Sequence, residues 1–275
     1  MGNPAPHKAR KRFGQNFLHD PGIIQRIVKA IDPHEGDNLV EIGPGQGAIT
    51  LALLTRVKRM QVVEIDRDLV GPLAQRCQGL GELTIHNVDA LKFDFRLLAQ
   101  ADRPLRVVGN LPYNISTPLL FHLFDAAEVI RDFHLMLQKE VVDRMAAGPG
   151  SKTYGRLSVM LQARARVQSL FHIGPGAFNP PPKVDSSFVR LQPIYPLPYE
   201  IDDWPTFSAL VGQAFSQRRK TLRNSLRNFM TADSIAALGI DPGTRPEQLS
   251  VADFAELANR SFSDHKPATI LSEAP

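Results

Sequence analysis

The sequence has little cysteine and lacks long apolar runs. Cys77 is the only cysteine among 275 residues, which excludes an intrachain disulfide and a zinc site built from several thiolates. No run of about 18 apolar residues occurs, so no membrane-spanning helix is expected. The N-terminus is basic but lacks the apolar segment of a signal peptide. These absences predict a protein of a reducing compartment, the cytoplasm, that binds neither a membrane nor a metal.

The composition is that of an ordinary globular protein. The 19 glycines and 22 prolines are close to average usage, which excludes collagen-like and low-complexity chains. Apolar residues make up 43%, enough for a core, and the length favours one or two domains. Lys and Arg exceed Asp and Glu by four, a mild basic excess that suggests an anionic partner.

The first 194 residues alternate between strand and helix patterns. Asp20-Pro21 marks the start of a first amphipathic helix. Short apolar runs follow at residues 39–42, 60–65, 83–85 and 105–108, with helix-like stretches between them. This alternation predicts a Rossmann-like parallel sheet with helices on both faces, which binds ligands at the carboxyl ends of its strands. A last strand is expected at residues 187–191, after an extended proline loop at residues 178–184.

Beyond residue 194 the pattern is purely helical. Apolar residues at helical spacing predict one long amphipathic helix; they are Phe207, Leu210, Val211, Ala214, Phe215, Leu222, Leu226 and Phe229. Ser250 and Asp253 predict a capping box for a final helix, with Leu249 and Phe254 as its hydrophobic staple. We therefore expect a basic arm at residues 1–19, an α/β domain at residues 20–194 and a helical domain at residues 195–275.

A glycine-rich turn follows the first strand. Gly43, Gly45 and Gly47 stand two residues apart, after the acid Glu41 and before a helical run. Glycine permits tight turning and close approach of a ligand to the backbone. The dinucleotide fingerprint GxGxxG needs a wider spacing. The spacing GxGxG resembles motif I of the S-adenosylmethionine-dependent methyltransferases, and a purely structural turn is the alternative.

Acidic residues follow the next two strands. Glu64 stands about twenty residues after the glycine turn, where a carboxylate can accept hydrogen bonds from both hydroxyls of a ribose. Asp66 competes for this role but is favoured as the cap of the following helix. Asp89 can accept from an adenine amino group or form a turn. Since the strand ends of a parallel sheet meet, these residues together favour a nucleoside site.

The fourth strand ends in Asn110-Leu111-Pro112-Tyr113, which resembles motif IV of methyltransferases that modify exocyclic or amide nitrogens. Adenine's exocyclic nitrogen is a poor nucleophile because its lone pair is conjugated into the ring. The Asn110 carbonyl and a backbone carbonyl of Leu111 or Pro112 would accept its two hydrogens and draw it towards tetrahedral geometry, while the base stacks on Tyr113. Catalysis would then rest on positioning and preorganised hydrogen bonds. A capped turn with a core tyrosine is the alternative.

Several segments together complete a family pattern. They are residues 15–18, 41–47, 63–66, 87–91, 110–113, 178–186 and 217–226. In this order the chain resembles the small-subunit ribosomal RNA adenine dimethyltransferases, the kasugamycin-sensitivity family, from Phe13 to about Ser261. The resemblance implies transfer of methyl groups from S-adenosylmethionine to the amino nitrogens of two adjacent adenosines near the 3′ end of small-subunit (16S) RNA. It also implies a role in small-subunit biogenesis.

The same resemblance implies which residues hold the cofactor. Asn16 and Leu18 would close over its methionine part, and Gly43 would line its cleft. Glu64 would hold the ribose, and Asp89 would meet the adenine ring.

The resemblance also implies how the target base is held. Asn110 would touch both the cofactor and the target amine. Phe178 would stack on the face of the base opposite Tyr113; the alternative is a hydrophobic anchor for the proline loop. A base inside a stem or loop must be unstacked to enter such a site, at a cost of a few kcal/mol that two aromatic rings help to offset.

The positive charge is concentrated in two segments. Residues 1–19 contain no acid and four bases, Lys8, Arg10, Lys11 and Arg12, while residues 139–227 carry an excess of seven bases. Arg219, Arg223 and Arg227 stand four residues apart, which predicts a stripe on the long helix, beside Arg218 and Lys220. Because arginine forks suit phosphate, we expect a surface for the RNA backbone. A solvated helix face is the alternative.

Two other functions fit part of the pattern. The related antibiotic-resistance methyltransferase that modifies large-subunit RNA shares the catalytic domain, but residues 218–226 favour the small-subunit group. A non-catalytic RNA-binding protein of this fold would act in ribosome assembly, but intact Glu64, Asp89 and Asn110 argue against lost activity. The expected partner is small-subunit RNA or its precursor particle (pre-30S), bound by a monomer.

Overall fold

The computed structural model describes residues 15–217 and 219–265, which form two units. The first unit joins the chain up to Asp143 to Ala165–Pro193, and the second joins Arg144–Arg164 to the chain from Ile194 onward. The boundary expected after residue 194 therefore lies within a residue of the observed one. Residues 144–164, which the sequence assigned to the α/β domain, instead belong to the helical unit. Residues 1–14 of the expected basic arm lie outside the described part of the chain.

The first unit contains the strands. In chain order they are β1 (Phe17–Leu18), β2 (Asn38–Ile42), β3 (Arg59–Val63), β4 (Glu82–His86), β5 (Leu105–Asn110), β6 (Ile130–Gln138), β7 (Ala165–Ile173), β8 (Phe178–Asn179) and β9 (Ser186–Pro193). Seven of them form one sheet in the order β4-β3-β2-β5-β6-β9-β7, and β1 pairs with β8. The five predicted strands are confirmed as β2, β3, β4, β5 and β9. The two long strands β6 and β7 were not predicted.

The helices of both units follow in chain order. They are α1 (Pro21–Ile31), α2 (Ala48–Val57), α3 (Arg67–Cys77), α4 (Ser116–Phe124), α5 (Lys139–Met145), α6 (Arg156–Gln162), α7 (Trp204–Ala214), α8 (Leu222–Ser225), α9 (Ala232–Ala236) and α10 (Val251–His265). The start of α1 is as predicted, because the Asp20 carboxylate accepts from the Ile23 N–H at 2.9 Å and Pro21 takes the first helical position. No helix of the described residues is long and apolar enough to cross a membrane.

The sheet reverses its strand order between β2 and β5. Strands β4, β3, β2, β5 and β6 run parallel, and β9 runs antiparallel to β6 and β7. All five residues of β2 are buried, as expected for a central strand covered on both faces. Chain connections leave in opposite directions from β2 and β5, so a crevice forms at their carboxyl ends, where such folds bind ligands.

The long helix predicted over residues 207–229 is wrong. Helix α7 ends at Ala214, a turn follows, and α8 begins after Thr221, whose backbone is extended (ψ 163°). Both short helices bury their apolar residues, including Leu210 and Leu222. The apolar residues of the two helices therefore have the spacing of one long helix, although they belong to two separate helix faces. Basic residues without acids at i±4 also destabilise a helix between them.

The predicted start of the final helix is confirmed. The Ser250 N–H donates to Asp253 Oδ2 at 2.7 Å, and the Asp253 N–H donates to Ser250 Oγ at 3.1 Å. This reciprocal pair is a capping box. Leu249 and Phe254 are both buried beside it, as the staple requires.

The amino ends of the strands hold a buried charge network around Arg106 of β5. Its guanidinium donates to both oxygens of Asp132 at 3.0 and 3.1 Å and to Asp37 Oδ2 at 2.7 Å. It also donates to the carbonyls of Ile31 and Asp32 at the end of α1. One arginine therefore joins β5, β6 and the end of α1 in the first unit.

Removing this arginine should strongly destabilise the protein. We expect Arg106→Met to lower the free energy of unfolding by about 3–5 kcal/mol, since Asp132 and Asp37 lose their closest cationic partner and keep only Arg190 at 3.7 Å and Arg131 at 3.6 Å. Urea titration measures the loss. The control is Arg59→Met, because the Arg59–Glu82 pair is exposed and such pairs contribute about 0–1 kcal/mol. Equal losses in the two variants would contradict the expectation.

Candidate active site

A pocket lies at the carboxyl edge of the sheet, beside the ends of β2, β3, β4 and β5. Its walls include residues 15–18, 41–46, 63–65, 88–90 and 110–113. Four of these segments are the strand ends at which the sequence predicts a ligand, and the fifth is the N-terminal segment. The predicted residues that line it are Asn16, Leu18, Gly43, Gly45, Glu64, Asp89, Asn110, Leu111, Pro112 and Tyr113.

Two glycines of the turn after β2 are required by their surroundings. Gly45 has φ +57°, and a Cβ there would lie 3.0 Å from the Phe17 ring. Gly47 has φ +81°, and a Cβ there would lie 2.6 Å from Cδ1 of Leu73 on α3. Gly47 is not among the residues that line the pocket. Its position fits the packing of α2 on α3, and the predicted contact of Gly47 with a ligand stays a prediction.

Glu64 is held in the pocket wall by backbone donors. The Gly45 N–H donates to Oε2 at 3.1 Å and the Asp66 N–H donates to Oε1 at 2.8 Å. Burial raises the pKa of this carboxyl, and the two backbone hydrogen bonds act against that rise. Each oxygen keeps a second lone pair, so the group can still accept hydrogen bonds from a diol. Ile65, 46% exposed, adds an apolar surface to the same wall.

Asp66 caps α3, as the sequence favours. Its Oδ1 accepts from the Asp68 N–H at 3.3 Å. Its Oδ2 accepts from the side chain of Gln15 at 2.9 Å, a contact that the sequence did not suggest. Asp66 therefore ties the N-terminal segment to the start of α3.

Asp89 both forms a turn and lines the pocket, so it is compatible with each of the two roles that the sequence left open. Its Oδ1 accepts from the Leu91 N–H at 3.0 Å, which closes a turn, and its side chain also lines the pocket. The preceding Asn87 donates to the Glu64 carbonyl at 2.7 Å. This hydrogen bond holds the end of β4 beside the end of β3.

The Asn110 side chain joins the fourth strand end to the N-terminal segment. Its Nδ2 donates to the Asn16 carbonyl at 3.1 Å, so its Oδ1 is the atom that can accept from a target amine. The Pro112 carbonyl accepts from the Ile115 N–H at 3.1 Å. Within the described chain no backbone donor reaches the Leu111 carbonyl. Of the two backbone acceptors that the sequence left open, Leu111 is therefore favoured.

Tyr113 contributes its ring rather than a charge. Its hydroxyl forms a 2.6 Å hydrogen bond with Oγ of Ser186. Burial raises the pKa of this phenol, and the hydrogen bond to Ser186 opposes the rise only in part. The side chain is therefore neutral near pH 7.

Phe178 lies in the hydrophobic core and not in the pocket wall. Its side chain is 3% exposed, packs in the hydrophobic core and is absent from the pocket walls. Strand β8, which begins with Phe178, pairs antiparallel with β1, so Leu18 stands opposite Phe178. This packing fits the alternative reading, a hydrophobic anchor for the proline loop, and stacking of Phe178 on a target base stays a prediction.

The helical unit presents exposed cations without acidic partners. Arg219, Lys220, Arg223 and Arg227 are all exposed, and no carboxylate of the described residues forms an ion pair with them. They lie in a turn, in α8 and in the turn after it, and not on one helix as predicted. The other predicted RNA contacts, Lys8, Arg10, Lys11, Arg12 and Arg218, lie outside the described residues. Within residues 15–217 and 219–265 no cluster of side chains suits a metal ion.

Comparisons with known proteins agree over most of the chain. A family model described as "Ribosomal RNA adenine dimethylase" matches residues 6–262. Ribosomal RNA small subunit methyltransferase A of Pseudomonas fluorescens is 55% identical over 263 residues, which cover 96% of this chain and 97% of that protein. The protein of the same name from Marinobacter nauticus is 56% identical over 259 residues, 94% of each chain.

Solved structures share the fold. A dimethyladenosine transferase from Plasmodium falciparum has a TM-score of 0.77 at 27% identity and covers 90% of this chain and 98% of its own. The 23S rRNA methyltransferase ErmE has a TM-score of 0.71 at 23% identity, with 89% and 99% covered; this likeness concerns the fold alone. The predicted α/β methyltransferase fold is confirmed.

The packing of Gly47 can be tested with a matched glycine. We expect Gly47→Ala to lower the free energy of unfolding by about 2–5 kcal/mol, from left-handed backbone strain and overlap with Leu73. Gly79 also has positive φ (+78°) but no atom near a Cβ, so Gly79→Ala should cost only about 1–2 kcal/mol. Chemical denaturation compares them. A Gly47 variant no less stable than the Gly79 variant would contradict the packing role.

Proposed function

Because the chain belongs to the ribosomal RNA adenine dimethylase family, we propose that it methylates the exocyclic nitrogens of two adjacent adenosines near the 3′ end of small-subunit RNA. The enzyme is an S-adenosylmethionine-dependent rRNA adenine methyltransferase of the class I fold. We also propose that it acts as a cytoplasmic monomer on pre-30S particles and contributes to their assembly. The observation that carries the proposal is the meeting of Glu64, Asp89 and Asn110 in one pocket.

The pocket residues suit S-adenosylmethionine. The Glu64 carboxylate, fixed by two backbone donors, has acceptor positions for the ribose hydroxyls. The Asp89 carboxylate is an acceptor for the adenine amino group, and Ile65 offers an apolar face for the ring. Gly43, Asn16 and Leu18 would enclose the methionine part. When bound, the cofactor supplies a methyl group on a sulfonium, which is electrophilic without any metal.

We assign the target amine to the motif at the end of β5. Asn110 Oδ1 and the Leu111 carbonyl would accept its two hydrogens, which localises the nitrogen lone pair. The Tyr113 ring, held by its hydrogen bond to Ser186, gives the base a stacking face. Pro112 keeps the turn rigid and brings no competing donor. The pocket's contribution is therefore positioning and hydrogen-bond preorganisation rather than a general base.

We assign the RNA backbone to the exposed cations of the helical unit. Arg219, Arg223 and Arg227, with Lys220, have no acidic partners among the described residues. A guanidinium without a carboxylate partner is available for a bidentate contact with phosphate.

The direct experiment offers the enzyme both ribosomal substrates. The protein is incubated with isotope-labelled S-adenosylmethionine and either unmethylated small subunits or naked large-subunit RNA, and the label is mapped by mass spectrometry. We expect two adjacent dimethyladenosines near the 3′ end of the small-subunit RNA. Label confined to large-subunit RNA would favour the antibiotic-resistance type, and no label in either would favour an assembly factor.

Asn110 should be needed for transfer more than for cofactor binding. We expect Asn110→Ala to abolish methylation while calorimetry still detects S-adenosylmethionine, because Glu64 and Asp89 remain. Asn114→Ala, four residues along and outside the pocket walls, is the control and should keep its activity. Near-normal turnover of Asn110→Ala would remove this side chain from the mechanism.

The basic surface should determine the salt dependence of RNA binding. Replacing Arg219, Arg223 and Arg227 with alanine should flatten the plot of log affinity against log salt by about 0.7–0.9 for each lost phosphate contact. The control removes Arg59 and Arg260, which already pair with Glu82 and Asp264. The two proteins are compared by RNA titration at several salt concentrations, and an unchanged slope in the triple variant would contradict the assignment.

A further inference from the structure

A second cleft opens in the first unit, at the carboxyl end of β6. It encloses about 340 Å³, near the lower end of the range for ligand pockets. One wall comes from the end of β6 and the start of α5, and the other from the loop before β9; the residues are Gln138, Lys139, Glu140, Lys183, Val184 and Asp185. None of them lines the first pocket, and the mechanism above gives none of them a role.

The sheet places this cleft beside the motif assigned to the target amine. Asn110 lies opposite Met136 of β6, and Gln138, two residues further along β6, lies opposite Ser186 of β9. The Ser186 hydroxyl in turn forms the 2.6 Å hydrogen bond with Tyr113. Neighbouring strands are about 5 Å apart, so the cleft begins only one or two strand spacings from the motif. A base held there belongs to an RNA chain, whose next nucleotide must leave the pocket past this rim.

The loop before β9 holds an apolar side chain out of the core. Val184 is 44% exposed and follows three consecutive prolines at residues 180–182, whose rings restrict the backbone. The Asp185 carbonyl accepts from the Lys139 N–H at 2.9 Å, and the Asp185 carboxylate lies 3.3 Å from the His172 ring. These contacts fix the loop without using Val184, which leaves its side chain available to a ligand.

Two polar groups of the cleft are also available. The Lys139 ammonium already pairs with Asp143 at 2.5 Å, but Lys183 is exposed and forms no ion pair with a carboxylate of the described residues. The Gln138 amide has no hydrogen-bond partner within residues 15–217 and 219–265. The cleft therefore offers one cation, one amide and one apolar side chain.

This combination matches a single adenosine nucleotide. A primary amide has a donor and an acceptor, which fit N7 and the amino group of adenine, whereas guanine presents an acceptor, O6, in place of that amino group. The Lys183 ammonium suits one phosphate, and Val184 suits the face of the base. Glu140 lines the same cleft and disfavours a second phosphate, so a run of RNA backbone fits less well than one nucleotide.

We propose that the cleft is a subsite for the nucleotide next to the target, and that Gln138 selects adenosine there. Lys183 binds the phosphate of that nucleotide, and Val184 contacts its base. The inference rests on the proposed function, because it assumes that a target adenosine occupies the Asn110 motif. It gives the enzyme a means of recognising two adjacent adenosines rather than one.

Small subunits with an altered pair of adenosines provide the first test. Guanosine replaces one or the other of the two in unmethylated subunits, and mass spectrometry follows the rate at which the remaining adenosine is methylated. We expect one replacement to lower kcat/KM about tenfold relative to the same adenosine in the normal pair, within the discrimination of one bidentate contact. The other replacement leaves the nucleotide in the cleft unchanged and should have little effect.

Variants of Gln138 connect this preference to the cleft. We expect Gln138→Ala to methylate the normal pair and the affected guanosine substrate at similar rates, because nothing then reads the neighbouring base. Gln168→Ala removes an exposed amide of β7 outside the cleft and should keep the tenfold preference. A purely structural role of Gln138 would lower both rates together and leave their ratio unchanged.

A lysine variant tests the phosphate contact. We expect Lys183→Ala to raise KM for the subunits and to flatten the plot of log affinity against log salt by about 0.7–0.9. The control is Lys29→Ala, an exposed lysine of α1, which should change neither quantity.

The outcomes separate this inference from the proposed function. No methylation of the normal pair would overturn the proposed function. Methylation that neither guanosine replacement slows would overturn the subsite alone. A preference that persists in Gln138→Ala would also overturn it, and a raised KM with that preference would assign the cleft to a protein or another RNA segment of the particle. If Gln138→Ala fails to fold, Lys183→Ala on the exposed loop still decides, since an unchanged KM and salt slope would overturn the subsite.

Discussion

The site depends on the close parallel pairing of β2 with β5, at the point where the strand order of the sheet reverses. The register places Ile42 beside Gly109, one residue before the glycine turn on one strand and the Asn110 motif on the other. A Cβ at Gly109 would lie 2.9 Å from the Ile42 carbonyl, so only glycine lets the two strands approach this closely. The loops that leave the strands then diverge, and the crevice between them becomes the pocket. Residues predicted for the cofactor and the target, far apart in sequence, meet because backbone hydrogen bonds hold this register.

Charge is arranged differently at the two ends of the sheet. At the amino ends, Arg106 satisfies the buried carboxylates Asp37 and Asp132, so the charges compensate within the protein and stabilise the fold. At the carboxyl ends, Glu41 and Glu64 are buried without a cation of the described chain. Burial raises the pKa of both carboxyls. The carboxylates at the amino ends of the strands thus have a cationic partner within the protein, whereas those at the carboxyl ends have none among the described residues.

Local patterns predicted much of the fold and of the pocket, and they failed where distance in sequence was large. The helix starts at Asp20 and Ser250 were predictable because a cap involves neighbours within three residues. The break between the end of α7 at Ala214 and the start of α8 at Leu222 was not, since the apolar faces of α7 and α8 share a spacing with one long helix. The core position of Phe178 was only one of two sequence alternatives for a similar reason, since it depends on the pairing of β8 with β1, which puts Leu18 opposite Phe178. Gln15 and Thr50 carried no signal, because their partners Asp66 and Glu41 lie on other elements.

The sequence by itself determined the family, the chemistry and the order of the strand ends, because motifs such as Gly43–Gly47 and Asn110–Tyr113 record chemical requirements residue by residue. Tertiary structure alone decided which atoms face one another. It gave the Pro112 carbonyl a backbone donor but not that of Leu111, packed Phe178 in the core and brought Glu41 to the wall beside Glu64. Tertiary contacts also decided that residues 144–164 belong to the helical unit. The free energy of burial depends on contacts between distant residues, and no local pattern along a chain contains those contacts.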